Sequence, residues 1–226
     1  MKPQIFTTAF MDEIRLAIGG LVGGVLLISC PVLAMGGESP DPHAQHPMMM
    51  QMPSLPLHNS VADYIVPSVT MIREDGTKVN LKDEINDGKP VIMNFIFTSC
   101  TTVCPVLSRT MSMVQARLGS DADKVHLVSI SIDPEQDTPS RLAAYAKRYH
   151  AGPDWHFYTG TLAASVTVQK AFDAYRGDKM DHEPATYLRR APGRQWLRMD
   201  GFATADEVIQ EYRQMRMMKM SCAGNC

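Results

Sequence analysis

Cys100 and Cys104 bracket Thr101-Thr102-Val103, and Pro105 follows directly. A thiolate is a nucleophile, a redox centre and a soft metal donor, and two of them favour Cu(I) or Zn(II) over Mg or Ca. At i and i+4 helical residues share one face, so a helical or near-helical first turn lets both sulfurs converge on one small ion. The same pair can close a disulfide. The apolar run Val91–Thr98 (VIMNFIFT) reads as a buried strand leading into the first cysteine. From Pro105 to Leu118 the spacing is helical, with Val106, Leu107, Met111, Val114 and Leu118 on related faces. A strand end feeding a helix start is a reactive-thiol setting, because unpaired N–H groups of the first turn stabilise thiolate. Pro105 suits that turn, where an N–H has no intrahelical partner.

Other soft donors lie at both ends of the chain. Residues 36–60 are rich in Pro, Gly and Ser and show no period, so they read as a linker. That segment carries His43, His46, Met48, Met49, Met50, Met52 and His58. A solvated linker avoids apolar residues, so the methionine cluster points to copper contact, for which thioether and imidazole are suited. Residues 216–226 repeat the theme with Met217, Met218, Met220, Cys222 and Cys226. Arg213, Arg216 and Lys219 interleave with them and indicate exposure. Such a tail can hold Cu(I), its two cysteines can form a disulfide, or its methionines can end a buried helix. His126, His150 and His156 begin a strand, end a helix and sit in an edge segment, which are structural or solvated positions.

The elements that must position these groups follow from patterning. The chain has 226 residues, 45% hydrophobic, with formal net charge −2, which fits one globular domain with appended segments and argues against nucleic acid as partner. Five cysteines are too few for a disulfide scaffold. Val69–Leu81 alternates around Asp75-Gly76, a hairpin signal. Val125–Ile132 is a second buried strand, Asp137 or Thr138 opens a helix through Tyr149, Trp155–Tyr158 is a short strand, and Leu162–Tyr175 is helical. Ala185–Arg189 and Gln195–Met199 pair over Ala191-Pro192-Gly193, and Thr204–Met215 is a helix with a capping box from Thr204 to Glu207. Alternating strands and helices followed by a hairpin and helix predict an α/β fold with a mixed central sheet flanked by helices.

The uncharged run Leu16–Gly37, with Lys2 and Arg15 ahead of it, is long enough to cross a bilayer and has the shape of a bacterial export signal. Three fates fit: a membrane anchor, lipidation at Cys30 within Leu27-Ile28-Ser29-Cys30, or cleavage after Val32-Leu33-Ala34 to give a soluble product. All three place the rest on the periplasmic side. The expected organisation is a signal or anchor at 1–35, a Met/His-rich linker at 36–60, the folded domain at 61–215 and a Met/Cys-rich tail at 216–226.

One set of motifs resembles a known family. Phe97-Thr98-Ser99-Cys100 with Val103-Cys104-Pro105, then Ser129-Ile130-Ser131-Ile132-Asp133-Pro134, Asp137-Thr138-Pro139, Tyr145 and Thr159-Gly160 together resemble the Sco/SenC family over roughly Val61 to Met215. The resemblance implies a thioredoxin-like fold and copper delivery to the CuA site of cytochrome c oxidase. It implies as partners the copper-bearing oxidase subunit, other copper chaperones and thioredoxin-like reductants. It also implies a Cys₂His copper site. The family's histidine precedes a strand whose Tyr-Leu pair lies five and six residues on, which His182, Tyr187 and Leu188 match. His182 itself lies in the loop DKMDHEPA between a helix and a strand. Many family members carry Pro-Asp where this chain has Thr101-Thr102, which removes a negative charge from the cysteine turn. The alternative is thiol–disulfide reduction of the oxidase's copper-site cysteines, with Cys100 as nucleophile and Cys104 as resolving thiol. A peroxide-reducing site would need an Arg beside the thiolate, and none is clearly placed. Asp133-Pro134 and Asp137-Thr138-Pro139 read as a turn and a helix start.

Overall fold

The computed structural model describes residues 57–222 and the side chains of 57–217. Cys30, the Leu16–Gly37 run, His43, His46, Met48, Met49, Met50, Met52 and the side chains of Met218, Met220, Cys222 and Cys226 lie outside the described residues.

The centre of the fold is β4 (Val91–Ile96), whose six residues are all buried, as its unbroken apolar run requires. It pairs in parallel with β5 (His126–Ser131) and antiparallel with β7 (Ala185–Arg189). The helix α2 (Val103–Leu118) connects β4 to β5, and β7 turns back into β8 (Trp196–Asp200) before the last helix, α5 (Ala205–Cys222). A βαβ unit and a ββα unit sharing the strand order β5-β4-β7-β8 make the fold thioredoxin-like. Outside that core, β1 (His58–Ala62) pairs with β8, while β6 (Trp155–Gly160) pairs with β5 and carries the hairpin of β2 (Thr70–Arg73) and β3 (Lys78–Asn80). The full order is β1-β8-β7-β4-β5-β6-β2-β3. The hairpin turn is where expected, and Gly76 takes φ +85° there, a conformation L side chains resist.

The remaining boundaries show what local pattern omits. β1 begins at His58, inside the segment read as linker, because β8 supplies main-chain partners such as Arg198 opposite Ser60. α1 (Leu81–Glu84) is capped by the Asn80 side chain, and α3 (Pro139–Arg148) by Thr138, whose hydroxyl accepts from the Arg141 N–H at 3.3 Å. α4 (Leu162–Ala171) stops short of Tyr175 because Phe172 turns into an aromatic core with Tyr187 and Trp196 and Asp173 takes φ +50°. α5 opens on the expected capping box, the Thr204 N–H donating to Glu207 at 2.7 Å, but it continues past Met215 to Cys222. Among the described residues no helix is long and apolar enough to cross a membrane.

Candidate metal centre

The carboxyl end of β4 is the start of the site. After Ile96 the chain passes through Phe97 and a turn at Thr98–Thr102, and α2 begins at Val103, two residues before the helical spacing indicates. Cys100 therefore precedes the helix and the two cysteines do not share a helical face. They are joined differently: the Cys104 N–H, in the first turn of α2, donates to Cys100 Sγ at 3.3 Å. The Thr102 hydroxyl lies 3.9 Å from the same sulfur and makes no side-chain cap for α2. Cys104 is fully buried, and its Sγ accepts from the Phe97 N–H at 3.4 Å. Both are free thiols.

The two sulfurs are electrostatically unlike. Burial opposes ionisation of Cys100, but the N–H groups of Cys104 and Thr102 outweigh it and hold the thiol below its ordinary value. Burial pushes the Cys104 thiol far above that value; the Phe97 N–H only partly offsets this, and the Cys100 sulfur and Asp137 carboxylate add to the rise.

Asp137 is buried in full and fixes the turn. Its carboxylate accepts from the Thr98 N–H at 3.2 Å, the Thr98 hydroxyl at 2.5 Å and the Ser131 hydroxyl at 2.6 Å. Ser131 Oγ also accepts from the Asp133 N–H at 3.0 Å, and the Asp137 N–H returns to the Asp133 carbonyl at 2.8 Å. The Asp133 carboxylate then takes Lys179 Nζ at 2.6 Å, and Lys179 lies 5.6 Å from the centre of the Phe97 ring. A continuous polar chain thus runs from the cysteine turn through Asp137, Ser131 and Asp133 to the loop that carries His182.

That loop is built from short-range contacts. Gly177 takes φ +82°, Asp178 accepts from the Met180 N–H at 2.9 Å, and Lys179–Asp181 form one 3₁₀ turn. Arg176 pairs with Glu183 at 2.8 Å. His182 is 9% exposed, and its Nε2 lies 3.1 Å from the Phe95 carbonyl. A carbonyl only accepts, so Nε2 carries the proton and Nδ1 presents a bare lone pair. Nδ1 is buried and has no hydrogen-bond partner. Burial lowers the pKa of His182 more than the Phe95 contact raises it, which keeps the ring neutral. An imidazole fixed by a backbone carbonyl with its other nitrogen free is the arrangement of a metal-ligating histidine. The donor set of two sulfurs and one such nitrogen suits a soft or borderline ion.

Cys104 and His182 both hang from the end of β4, one on the Phe97 amide and the other on the Phe95 carbonyl. Among the described residues no group of three or more His, Cys, Asp or Glu side chains stands close enough to hold a metal ion. His182 instead borders a cavity of about 520 Å³ with Asp133, Lys179 and Tyr175. His126 lies 2.8 Å from Asp87 and His156 lies 3.0 Å from Glu74, far from the cysteines at the other end of the strands. His150, at φ +55°, gives its carbonyl to Gln115. His58 is exposed on β1, 3.9 Å from Asp200. The motif Asp133…Asp137 reads from sequence as a turn and a helix start, yet Thr138 is the cap and both carboxylates face the site. Lys179 gives no sequence signal, since its partner is 46 residues away.

Known proteins resemble this chain in sequence and fold. The SCO1/SenC family profile matches residues 59–216. A SCO1 protein homolog of Bacillus subtilis is 29% identical over 167 residues, covering 70% of this chain and 86% of that protein. The solved structure of BsSco, described as a member of the Sco family of cytochrome c oxidase assembly proteins, is 27% identical with a TM-score of 0.59, covering 69% of this chain and 95% of that one. Bradyrhizobium japonicum ScoI, solved with copper bound, is 29% identical with a TM-score of 0.51, covering 58% of this chain and 86% of that one. With more than half of its length matched, this chain belongs to the SCO1/SenC family.

Proposed function

We propose that the protein is a membrane-tethered copper metallochaperone that delivers copper to the CuA site of cytochrome c oxidase. Copper is its cargo, with Cys100 and Cys104 as thiolate ligands and His182 Nδ1 as the nitrogen ligand. The observation that carries this reading is the buried, unpartnered Nδ1 of a histidine whose other nitrogen is tied to Phe95. A solvated loop histidine would have neither feature. Because no three ligands stand within holding distance, closing the site moves the His182 loop toward the cysteine turn. Three ligands leave the ion open to an incoming donor from the copper-bearing oxidase subunit.

The relatives named above, one with copper bound and one described by oxidase assembly, support the cargo and the recipient. Export by the Leu16–Gly37 run supports a periplasmic location, with the run itself or a lipidated Cys30 as the anchor. Auxiliary copper capture falls to His43, His46, Met48, Met49, Met50 and Met52 ahead of the domain and to Met217, Met218, Met220, Cys222 and Cys226 after it. Other copper chaperones supply the metal, and thioredoxin-like reductants keep the cysteines reduced, since only thiolates bind.

Anaerobic Cu(I) titration of the reduced chain carrying Cys30→Ser, Cys222→Ser and Cys226→Ser, followed by X-ray absorption, tests the reading apart from the tails. The expected result is one tight site with two sulfurs and one nitrogen, weakened and stripped of its nitrogen in His182→Ala. Tight all-sulfur binding indifferent to His182 removes the third ligand, and no tight binding removes the chaperone.

A second reading rests on the asymmetry of the thiols. The Cys100 thiolate attacks a target disulfide and forms a mixed disulfide. Cys104 then attacks Cys100 Sγ as a thiolate, releasing the target as a dithiol and leaving Cys100 and Cys104 oxidised. An external dithiol resets the pair. This reaction has no use for His182, so full reductase activity in His182→Ala favours it.

A further inference from the structure

The sheet end opposite the cysteines holds a cationic pocket that the Cys₂His site does not use. It is a cavity of about 660 Å³ beside Gly88 and Pro90, where the chain enters β4. Lys124, ahead of β5, Arg190 and Arg194, in the β7–β8 turn, and Arg213 and Arg216, on α5, all line it, and none of its lining residues is acidic. Asp121 at its edge pairs with Lys124 at 2.6 Å and Arg216 at 3.0 Å. Arg216 also donates to the Tyr212 hydroxyl at 3.3 Å. Arg190, Arg194 and Arg213 form no ion pair among the described residues.

Five cations from three separate parts of the chain repel one another, and Asp121, paired with two of them, and Asp123, acting on Lys124, do not offset all five. The helix dipole favours basic residues only in the last turn, and α5 runs on to Cys222, so it accounts neither for Arg213 and Arg216 nor for Arg190 and Arg194 on a sheet turn. Guanidinium groups grip phosphate through paired N–H donors, so four arginines around one hollow favour a phosphate group over a carboxylate. Met217 stands 62% exposed at the rim, an apolar side chain beside the charges.

We infer that this basic end is a docking surface for the phosphate headgroups of anionic phospholipid, holding the domain on the bilayer with the cysteine end turned away from it. Clustered Lys and Arg beside a membrane gain from its negative surface potential. The choice of lipid over free phosphate rests on the reading of Leu16–Gly37 as a membrane-directed segment; the phosphate chemistry does not.

The test uses the full chain in bilayer nanodiscs of phosphatidylcholine alone or with phosphatidylglycerol, read by amide hydrogen exchange. Peptides covering 188–196 and 210–217 are expected to exchange several-fold more slowly on the anionic discs. High salt removes the protection, as does Arg190→Gln/Arg194→Gln/Arg213→Gln, while one copper per chain is still bound. Equal exchange on the two bilayers overturns the proposal. Inorganic phosphate alone is the third arm: protection by phosphate but not by anionic discs also overturns it and assigns the pocket to a soluble phosphate. If the chain does not associate with phosphatidylcholine, the reading of the N-terminal run fails separately. Flotation with phosphatidylglycerol vesicles, wild type against the triple variant, then decides the docking surface by whether the arginines are needed.

Discussion

The cysteine turn and the histidine loop bring ligands to the same end of β4 by opposite means. The turn is held from within: Phe97 tethers Cys104, Asp137 tethers Thr98, and α2 begins immediately after, so the sulfur positions are set by buried hydrogen bonds. The loop is held from outside by a short 3₁₀ turn and two ion pairs, Lys179–Asp133 and Arg176–Glu183. Only the His182 ring itself is buried. On the proposed function the two thiolates are the fixed ligands and the imidazole, on the loop with fewer buried contacts, is the one that moves, which would suit holding an ion and giving it up.

Removing a sulfur breaks the fixed half outright, and the largest effect is expected there. Cys104→Ser should abolish tight Cu(I) binding, and Cys100→Ser should do the same. The inequality of the two thiols is sharpened by alkylation. With Cys100 held below the ordinary cysteine value and Cys104 far above it, iodoacetamide at neutral pH should label Cys100 and spare Cys104, read peptide by peptide apart from Cys30, Cys222 and Cys226. Mass spectrometry of the folded and denatured chain checks this, and equal labelling in the folded state contradicts the asymmetry. Because Cys104 stays protonated until metal arrives, Cu(I) loading should also release protons, measurable in weakly buffered solution.

Asp137 is the next test of the fixed half. Asp137→Ala leaves the Thr98 N–H, the Thr98 hydroxyl and the Ser131 hydroxyl without their acceptor. Buried groups left unsatisfied cost about 1–3 kcal/mol each, so urea unfolding should show a loss of roughly 2–4 kcal/mol after partial relaxation. A loss under ~0.5 kcal/mol would mean that Asp137 does not hold the turn.

The two halves also differ in how far the sequence discloses them. The cysteine turn is legible because it is local: an apolar run, two thiols, a proline and a helical period occur within about thirty residues. The hairpin at Asp75-Gly76 and the Thr204 capping box are legible for the same reason. His182 is not, because nothing local separates it from other loop histidines; only resemblance to a family assigns it, and the bare Nδ1 appears only once Phe95 is placed beside it. The pairing of β1 with β8 and the Lys179–Asp133 contact are likewise tertiary. The aspartates were visible as turn residues but not as tethers, since Thr138 can cap α3 without them.

On the histidine loop, His182→Ala should lower copper affinity by at least the roughly 10–100-fold that loss of an outer-shell partner costs a metal site, while leaving the fold intact. Its pH dependence has a definite sign. Burial lowers the folded pKa of His182 below the ordinary histidine value of 6.5, so the neutral ring contributes stability above about 6.5 that is lost as pH falls through the lower folded value. The His182 ring resonances of the metal-free protein should therefore titrate below the ordinary histidine range. A midpoint at or above it would show that the ring is solvated and that the loop is not as described.

The smallest expected effect discriminates best between a rigid and a movable arm. Lys179→Met removes the contact with Asp133 while keeping the length of the side chain over Phe97. Lys179 is part exposed but Asp133 is buried, so the loss on unfolding should be about 1–2 kcal/mol, carried by the carboxylate left without its cation. If Lys179 only decorates the surface, copper exchange should not change either. If it clasps the histidine loop to Asp133, and through Ser131 and Asp137 to the cysteine turn, the variant should release Cu(I) faster to a competing chelator, whereas Asp137→Ala should lose more stability. Asp133→Asn should act in the same direction, because it weakens the same contact from the other side. Stopped-flow transfer to a chromogenic Cu(I) chelator reads the rate directly. Equal rates in wild type and both variants would leave His182 positioned by Phe95 alone and end the role of the polar chain.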